Sequence, residues 1–277
     1  MNTKGPSEIV LCAPFDDMRC RHIRLLHEAS RLGPVHIYLW DDTAINTLTG
    51  KAPKFPLPER RYHLESVRYV SKVTAVCIND ANVLPEEALA TAGTCVMQAS
   101  DDTPDTPARQ AFCRKHRLTY KVFSDSELDD LPTIEVDTDT GNKKVLVTGC
   151  YDWFHSGHVR FFEEVSELGD LYVVVGHDAN IRALKGPGHP MFDERQRLYM
   201  VQSIRYVKQA MISTGNGWLD AEPEIRLIRP DMYAVNEDGD QPVKRQYCEE
   251  NGIEYVVLKR LPRQGLPRRE STKLRGF

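Results

Sequence analysis

The chain contains two copies of one sequence pattern, and this internal repeat constrains its fold more than any other feature. Residues 15–33 (FDDMRCRHIRLLHEASRLG) match residues 151–169 (YDWFHSGHVRFFEEVSELG), with Asp, His, Arg and Gly at equivalent positions. A VRYV segment in the first copy then matches IRYV in the second, and residues 105–123 match residues 240–258. The offset between the copies changes by only one residue in either direction, which predicts two structurally equivalent units.

Each copy alternates apolar runs with segments of helical spacing. The runs EIVLCAP and KKVLVTGC precede a helical segment, and PVHIYLW and DLYVVVG follow it. This repeated strand-helix-strand order predicts an α/β fold in which a parallel sheet has helices on both faces. We therefore expect two tandem Rossmann-like domains, at residues 1–130 and 144–277, joined by an acidic, Thr-rich linker at 131–143. In the second domain, RLYMVQSIRYV is expected to form one helix.

The composition excludes several classes of function. The 277 residues include 36 Lys and Arg against 40 Asp and Glu, a net charge of −4, and the pI is near 6.2. Without a block of like charge, this balance argues against a nucleic-acid partner or an anionic membrane surface. We predict no membrane span and no secretion signal, and expect a soluble cytoplasmic protein. The seven scattered cysteines indicate neither disulfides nor a zinc site, and most are expected to be buried.

The sequence TGCYDWFHSGH, at the end of the first strand of the second copy, predicts an anion site. His155 and His158 fall at the start of the following helix, one turn apart, with Gly157 between them. A helix N-terminus offers free N–H groups and the positive end of the helix dipole, and glycine leaves space for a phosphate near the backbone. The alternatives are two surface histidines without a ligand, or a metal pair that needs a third ligand.

Four motifs in order resemble the cytidylyltransferase-type nucleotidyltransferases, which include the phosphoethanolamine and glycerol-3-phosphate cytidylyltransferases. HSGH resembles the family's His-x-Gly-His signature, and LGDLYVVVGHDANIRALKGPGHPMF resembles its second strand and lysine loop. ERQRLYMVQSIRYV resembles the arginine helix, and RRESTKLR resembles the closing Ser-Thr segment. The resemblance covers residues 144–277. This chain departs from the usual closing Arg-Thr-Glu-Gly-Ile-Ser-Thr, since Glu270 directly precedes Ser271.

The resemblance implies transfer of a nucleotidyl group from a nucleoside triphosphate to a phosphate oxygen of a small substrate. Pyrophosphate would be released, and Mg²⁺ is the expected cofactor. His155, His158, Lys185 and Arg197 would be the catalytic residues that stabilise the phosphates. The nucleotide-binding residues implied by motif position are Gly149, Cys150, Tyr151, Gly157, Ser271 and Thr272.

The residues themselves suggest further contacts. The segment KRLPRQGLPRRESTKLR carries seven cations against one acid, which predicts an anion site for the β- and γ-phosphates. A solvated basic segment without a ligand is the alternative. Asp152 and Asp178 could bind substrate or metal, or could equally cap helices, and the metal ligands stay unknown. Trp218 could stack on a base or belong to the core or a surface patch.

The first copy has lost most of this chemistry. Arg19, Arg21 and Thr49 stand at the positions of the first histidine, the glycine and the lysine, whereas His22 and Arg60 persist. Residues 1–130 are therefore expected to form a degenerate nucleotidyltransferase domain. Because family members commonly pair, the two copies are expected to form an internal pseudo-dimer. A homodimer, and an independent regulatory pocket in the first copy, stay open.

Three functions are consistent with these observations. The favoured one is a CTP-dependent cytidylyltransferase that acts on a small phosphorylated or phosphonylated alcohol. The alternative is an adenylyltransferase that uses ATP and a sugar phosphate or coenzyme precursor. A non-catalytic nucleotide-sensing module fits less well, because binding alone does not need the complete set of charge-cancelling residues.

Overall fold

The structure is a computed structural model that describes residues 8–98, 105–133 and 140–276; the side chains of 96–98, 272, 275 and 276 are outside this description. The chain divides into two compact units, Met1–Leu131 and Pro132–Phe277. Residues 134–139 of the predicted linker lie outside the described residues. The expected pairing of the two units stays a prediction.

The first unit is a five-stranded parallel sheet with helices between the strands. Its strands are β1 (Glu8–Ala13), β2 (Val35–Trp40), β3 (Lys72–Val76), β4 (Ala92–Gln98) and β5 (Thr119–Phe123). Its helices are α1 (Cys20–Ser30), α2 (Asp42–Thr49), α3 (Leu57–Ser66), α4 (Glu86–Leu89), α5 (Pro107–Lys115) and α6 (Asp125–Leu128). The strand order is β3-β2-β1-β4-β5.

The second unit repeats this arrangement. Its strands are β6 (Lys144–Gly149), β7 (Asp170–Val175), β8 (Val207–Ile212), β9 (Met232–Asn236) and β10 (Glu254–Leu258). Its helices are α7 (Ser156–Ser166), α8 (Asp178–Lys185), α9 (Glu194–Gln202), α10 (Glu222–Ile228) and α11 (Pro242–Asn251). The order β10-β9-β6-β7-β8 is that of the first sheet, so the prediction of two Rossmann-like α/β units is confirmed.

Apolar side chains cover both faces of the second sheet. Along β6, Val145 and Val147 pack in one buried cluster with Phe162 of α7, whereas Leu146 packs in another with Ile225 of α10. Successive side chains of a strand point to opposite faces, so a continuous apolar strand implies burial on both sides. This burial explains why KKVLVTGC and DLYVVVG read as unbroken apolar runs.

Helix α9 is shorter than the sequence predicted. It ends at Gln202, whereas the helical pattern was expected to continue through RYV. The hydroxyl of Ser203 donates to the carbonyl of Met200 at 2.6 Å, and Ser66 does the same with His63 at the end of α3. A side chain that takes a carbonyl of the last turn competes with further helical bonds, and the chain turns into β8.

Equivalent buried arginines brace both units. In the first unit, Arg60 of α3 donates at 2.7 to 2.9 Å to the carbonyls of Phe55, Pro14 and Trp40 and the carboxylate of Asp42. In the second, Arg197 of α9 donates at 2.6 to 3.0 Å to the carbonyls of Phe192, Cys150 and Gly176 and the carboxylate of Asp178. The internal repeat therefore extends to individual hydrogen bonds. Among the described residues, no helix has the length and apolar character to cross a bilayer.

Candidate active site

The histidine pair forms the N-terminal cap of α7. His155 is the N-cap residue, and its Nδ1 accepts the backbone N–H of Gly157 at 3.0 Å. His158 Nδ1 accepts the backbone N–H of His155 at 3.3 Å, and the two rings stack with centroids 4.0 Å apart. Imidazole nitrogens therefore satisfy N–H groups at the start of this helix.

This capping fixes the tautomer of both rings. An imidazole nitrogen that accepts a backbone N–H carries no proton, so in the neutral ring the proton lies on Nε2. His155 and His158 each become Nε2–H donors, and both rings line an open cleft. Donors of this kind can stabilise negative charge on a phosphate.

Close packing of aromatic rings explains two glycines of the motif. A Cβ on Gly157 would lie 2.9 Å from Cε1 of His155, and a Cβ on Gly149 would lie 2.7 Å from Cζ of Tyr151. Tyr151 is buried and has a left-handed backbone, with φ at 54°. The space predicted beside Gly157 for a phosphate is therefore also needed by the capping imidazole.

The cleft has a volume of about 750 Å³, including space open to solvent, and lies where β6 ends between β7 and β9. In this fold, ligands bind at such a switch in strand order. The predicted residues that line it are Gly149, Cys150, Tyr151, Asp152, His155, Gly157, His158, Lys185 and Ser271. Arg260, one of the cations of the predicted basic segment, also lines it. The lining residues that sequence reasoning missed are Thr148, Phe161, Val235, Asn236, Asp238, Gly239 and Lys244.

Lys185 and Ser271 approach the cleft from different segments. Lys185 is exposed at the end of α8. Burial raises the pKa of the Cys150 thiol, and the charge of Lys185 partly opposes this effect. Ser271 starts a short 3₁₀ helix, and its hydroxyl donates to the carbonyl of Trp153 at 3.2 Å. The side chain of Thr272 is outside the described part of the chain.

The basic segment lies beside the first turns of α7. A cavity of about 300 Å³ is lined by Gly157 and Phe161 together with the cations Lys259, Arg260, Arg268 and Arg269. Arg260 also lines the larger cleft, where it pairs with Asp238. Four of the seven predicted cations therefore converge near the N-terminus of α7.

Arg197 occupies a different place from the one expected of a phosphate ligand. Its side chain is 1% exposed, and its guanidinium donates to three carbonyls and to Asp178. It is not among the residues that line the cleft. These contacts join α9 to the ends of β6 and β7 and to the start of α8.

The candidate carboxylates also have protein partners. Asp152 Oδ1 accepts the backbone N–H groups of Met191 and Phe192 at 2.7 and 3.0 Å, which fixes the loop before α9. Asp178 pairs with the buried arginine, and His177, not Asp178, is the N-cap of α8. Within residues 8–98, 105–133 and 140–276, no three His, Cys, Asp or Glu side chains form a group that could hold a metal ion. Trp218 is 56% exposed after β8, which excludes a place in the core.

In the first unit, the two arginines that replace His155 and Gly157 form ion pairs with acidic side chains. Arg19 is the N-cap of α1, and its guanidinium pairs with Asp17. Arg21, at the position of the second unit's glycine, pairs with Asp125 of α6. The backbone cap nevertheless persists, because His22 Nδ1 accepts the N–H of Arg19 at 2.9 Å.

Comparisons with known proteins find relatives of the second unit. The family model for cytidylyltransferase-like domains matches residues 146–260. An FAD synthase from Methanocella paludicola is 33% identical over 119 residues, which are 42% of this chain and 81% of that protein. One from Methanolacinia petrolearia is 35% identical over 120 residues, covering 42% of this chain and 77% of the relative.

A longer relative aligns with more of the chain. The bifunctional protein HldE of Desulfatibacillum aliphaticivorans is 27% identical over 170 residues, or 60% of this chain. The chain spans about a third of the length of this relative, 34%. The region that the family model matches contains the histidine cap and every lining residue of the cleft except Ser271, and the FAD synthases align over most of their own length. The chain therefore belongs to the cytidylyltransferase-like family of nucleotidyltransferases.

Proposed function

We propose that the second unit transfers a nucleotidyl group from a nucleoside triphosphate to a small phosphate monoester or phosphonate. The observation that carries this proposal is the α7 cap, where His155 and His158 both have Nδ1 occupied by backbone N–H groups. Two Nε2–H donors at a positive helix end suit an α-phosphate. The cations Lys185 and Arg260 on the same cleft suit the rest of a triphosphate.

The reaction is a direct displacement. An oxygen of the acceptor phosphate attacks the α-phosphorus, the bond to the β-phosphate oxygen breaks, and pyrophosphate leaves with the electron pair. The histidine donors stabilise charge on the α-phosphate, while the basic segment and Ser271 stabilise the leaving group. Burial raises the pKa of Cys150 and so favours its uncharged thiol, which fits a mechanism without a covalent cysteine intermediate.

Arg197 is a positioning residue in this proposal. It holds the carbonyl of Cys150 and the carboxylate of Asp178, and so fixes the ends of β6 and β7 below the cleft. Asp152 acts similarly on the loop that follows α8.

Mg²⁺ stays a prediction. Mg²⁺ prefers oxygen ligands and commonly bridges one or two carboxylates with substrate phosphates. Of the two candidate carboxylates, only Asp152 lines the cleft, and one of its oxygens already accepts two backbone N–H groups. These residues do not fit a metal held by protein ligands, and no step is assigned to it.

The donor is CTP or ATP. The motif resemblance favours CTP and a small phosphorylated or phosphonylated alcohol. The similarity to proteins named FAD synthase favours transfer of an adenylyl group to a coenzyme precursor.

Release of pyrophosphate, measured with CTP, ATP, GTP and UTP against a panel of phosphate monoesters, tests the proposal. The expected result is release that requires both a nucleotide and an acceptor, with one nucleotide preferred. His158→Ala should abolish most of it, and the matched His22→Ala in the first unit should not. Absence of acceptor-dependent release with all four nucleotides would refute the proposed function.

A further inference from the structure

A buried lysine that no motif marked lines the wall of the cleft between β6 and β9. Lys244 of α11 is 8% exposed, and its ammonium donates to the hydroxyl of Thr148 at 3.3 Å. That hydroxyl also bonds Tyr233 at 2.7 Å, and the ammonium lies 5.6 Å from the centre of the Tyr233 ring. These contacts fix the position of the charge.

The ammonium has more donors than the protein occupies. A lysine ammonium carries three N–H bonds and no acceptor, and the described residues give Lys244 one hydrogen bond, to Thr148. No carboxylate in the described part of the chain lies within ion-pair distance of it. Burial lowers the pKa of Lys244, and the charge of Asp220 partly opposes this effect. A buried cation that is not in direct contact with an anion is costly, so an acceptor on a ligand in the cleft would offset part of that cost.

In the first unit, the residue equivalent to Lys244 lines a smaller cavity. Arg109 is the equivalent residue, and it is equally buried. Its guanidinium donates to the carbonyl of Ala81, and the cavity it lines, with Cys12 in place of Thr148, is about 250 Å³ against 750 Å³. In the first unit, the carbonyl of Ala81 therefore accepts from the cation, whereas in the second unit we expect a ligand to provide this acceptor.

The surroundings indicate which part of a nucleotide reaches Lys244. The α-phosphate belongs at the α7 cap, and the other cation on this side, Arg260, pairs with Asp238. Val235 and Phe161 supply apolar surface on the same cleft, and Asn236 supplies an amide. Flat apolar faces with a few polar groups at the edge suit a nucleobase better than a second phosphate.

We infer that Lys244 binds the exocyclic carbonyl oxygen of the donor's nucleobase, so that the cleft selects cytosine over adenine; this inference rests on the proposed function. A carbonyl oxygen can accept one of the remaining N–H bonds. The exocyclic group of adenine is an amine, which a donor-only ammonium cannot satisfy. Uracil and guanine also carry an exocyclic carbonyl. The amide of Asn236 lies on the same cleft, where it is placed to contact the neighbouring position of the base.

The test compares Lys244→Met with Arg245→Met in the full chain. Both variants remove one positive charge from α11, but Arg245 is exposed, pairs with Asp240 and is not on the cleft. Lys244→Met should lower kcat/KM for CTP by about 10- to 100-fold, as expected for a lost charge-assisted hydrogen bond, and change kcat/KM for ATP less than threefold. Arg245→Met should change neither. Calorimetric binding of CMP and AMP to the unreacted protein should show the same ratio.

The outcomes separate this inference from the proposed function. Wild-type protein that uses ATP and rejects every carbonyl-bearing base would refute the base assignment and leave nucleotidyl transfer intact. An equal loss with CTP and ATP would assign Lys244 to the ribose or phosphates instead, and a rise in KM for the acceptor alone would assign it to the acceptor. Replacement of a buried lysine by methionine is commonly tolerated by the fold, and a thermal melt checks that it is here.

Discussion

The two buried arginines allow a structural role to be distinguished from a phosphate-binding role. Arg197→Met removes the donors for three carbonyls and leaves Asp178 without its cation. A lost intramolecular hydrogen bond costs about 1 kcal/mol, and breaking a buried ion pair by removing one partner costs about 3–5 kcal/mol. We therefore expect the second unit to lose roughly 3–5 kcal/mol of unfolding free energy, and its melting temperature to fall on the order of 10 °C.

Arg197→Lys sharpens this prediction. A lysine keeps the charge but cannot place donors on four acceptors arranged around a planar fork. If Arg197 acts by holding backbone, Arg197→Lys should lose at least half as much unfolding free energy as Arg197→Met. Arg60→Met is the matched control, because its four acceptors are equivalent; it should destabilise the first unit by a similar amount.

Urea unfolding, combined with hydrogen exchange followed by mass spectrometry, measures these effects and assigns each to one unit. The expected pattern is faster exchange at the end of β6 for Arg197→Met and at the end of β1 for Arg60→Met. If Arg197→Met were as stable as the wild type but inactive, the structural explanation would be refuted and a direct phosphate contact would be required.

Three further predictions concern the cap and the mouth of the cleft. His155→Ala or His158→Ala should lower turnover about 10²–10⁴-fold, because a donor to the charged α-phosphate is lost, whereas His22→Ala should leave turnover unchanged; normal rates in either variant would remove the pair from the site. Gly157→Ala should also lower turnover, since its Cβ would displace the His155 ring, and a crystal structure with the ring unmoved would contradict this. Lys185→Ala should raise KM for the triphosphate about tenfold without loss of thermal stability, since this lysine is exposed; an unchanged KM would exclude it as a phosphate ligand.

Most of the fold could be predicted because its signals are local. Apolar runs, helical spacing and the repeat identify the strands, and the histidine motif identifies the helix start that carries the cap. The wall formed by Lys244, Asn236 and Asp238 could not be predicted in the same way. Asn236 ends β9 and the other two follow it, and they reach the cleft only because β9 lies beside β6 in the sheet.

The four contacts of Arg197 with protein acceptors were not predicted, although the sequence held a signal for them. In a segment such as ERQRLYM, an arginine reads as a solvated or ligand-binding cation, and only the structure shows four protein acceptors around it. Yet Arg60 persists in the copy that has lost the first histidine, the glycine and the lysine. A residue that is retained in the copy without the other motif residues is expected to stabilise the fold.

Comparison of the two copies also separates structural from catalytic roles among the other motif residues. Asp16 and Asp152 both accept backbone N–H groups of the loop before the arginine helix, so this carboxylate has a structural role in each copy. His158 has two roles in this comparison, because its Nδ1 caps the helix as that of His22 does, and its ring lines the cleft of the second unit. His155 and Lys185 have no counterpart in the first copy. Loss of the exposed Lys185 should affect turnover without a cost in stability, whereas loss of His155 also removes a capping bond of α7. A duplicated chain thus provides its own internal control: bonds present in both copies hold the fold, and groups present in one copy are where the chemistry should be sought.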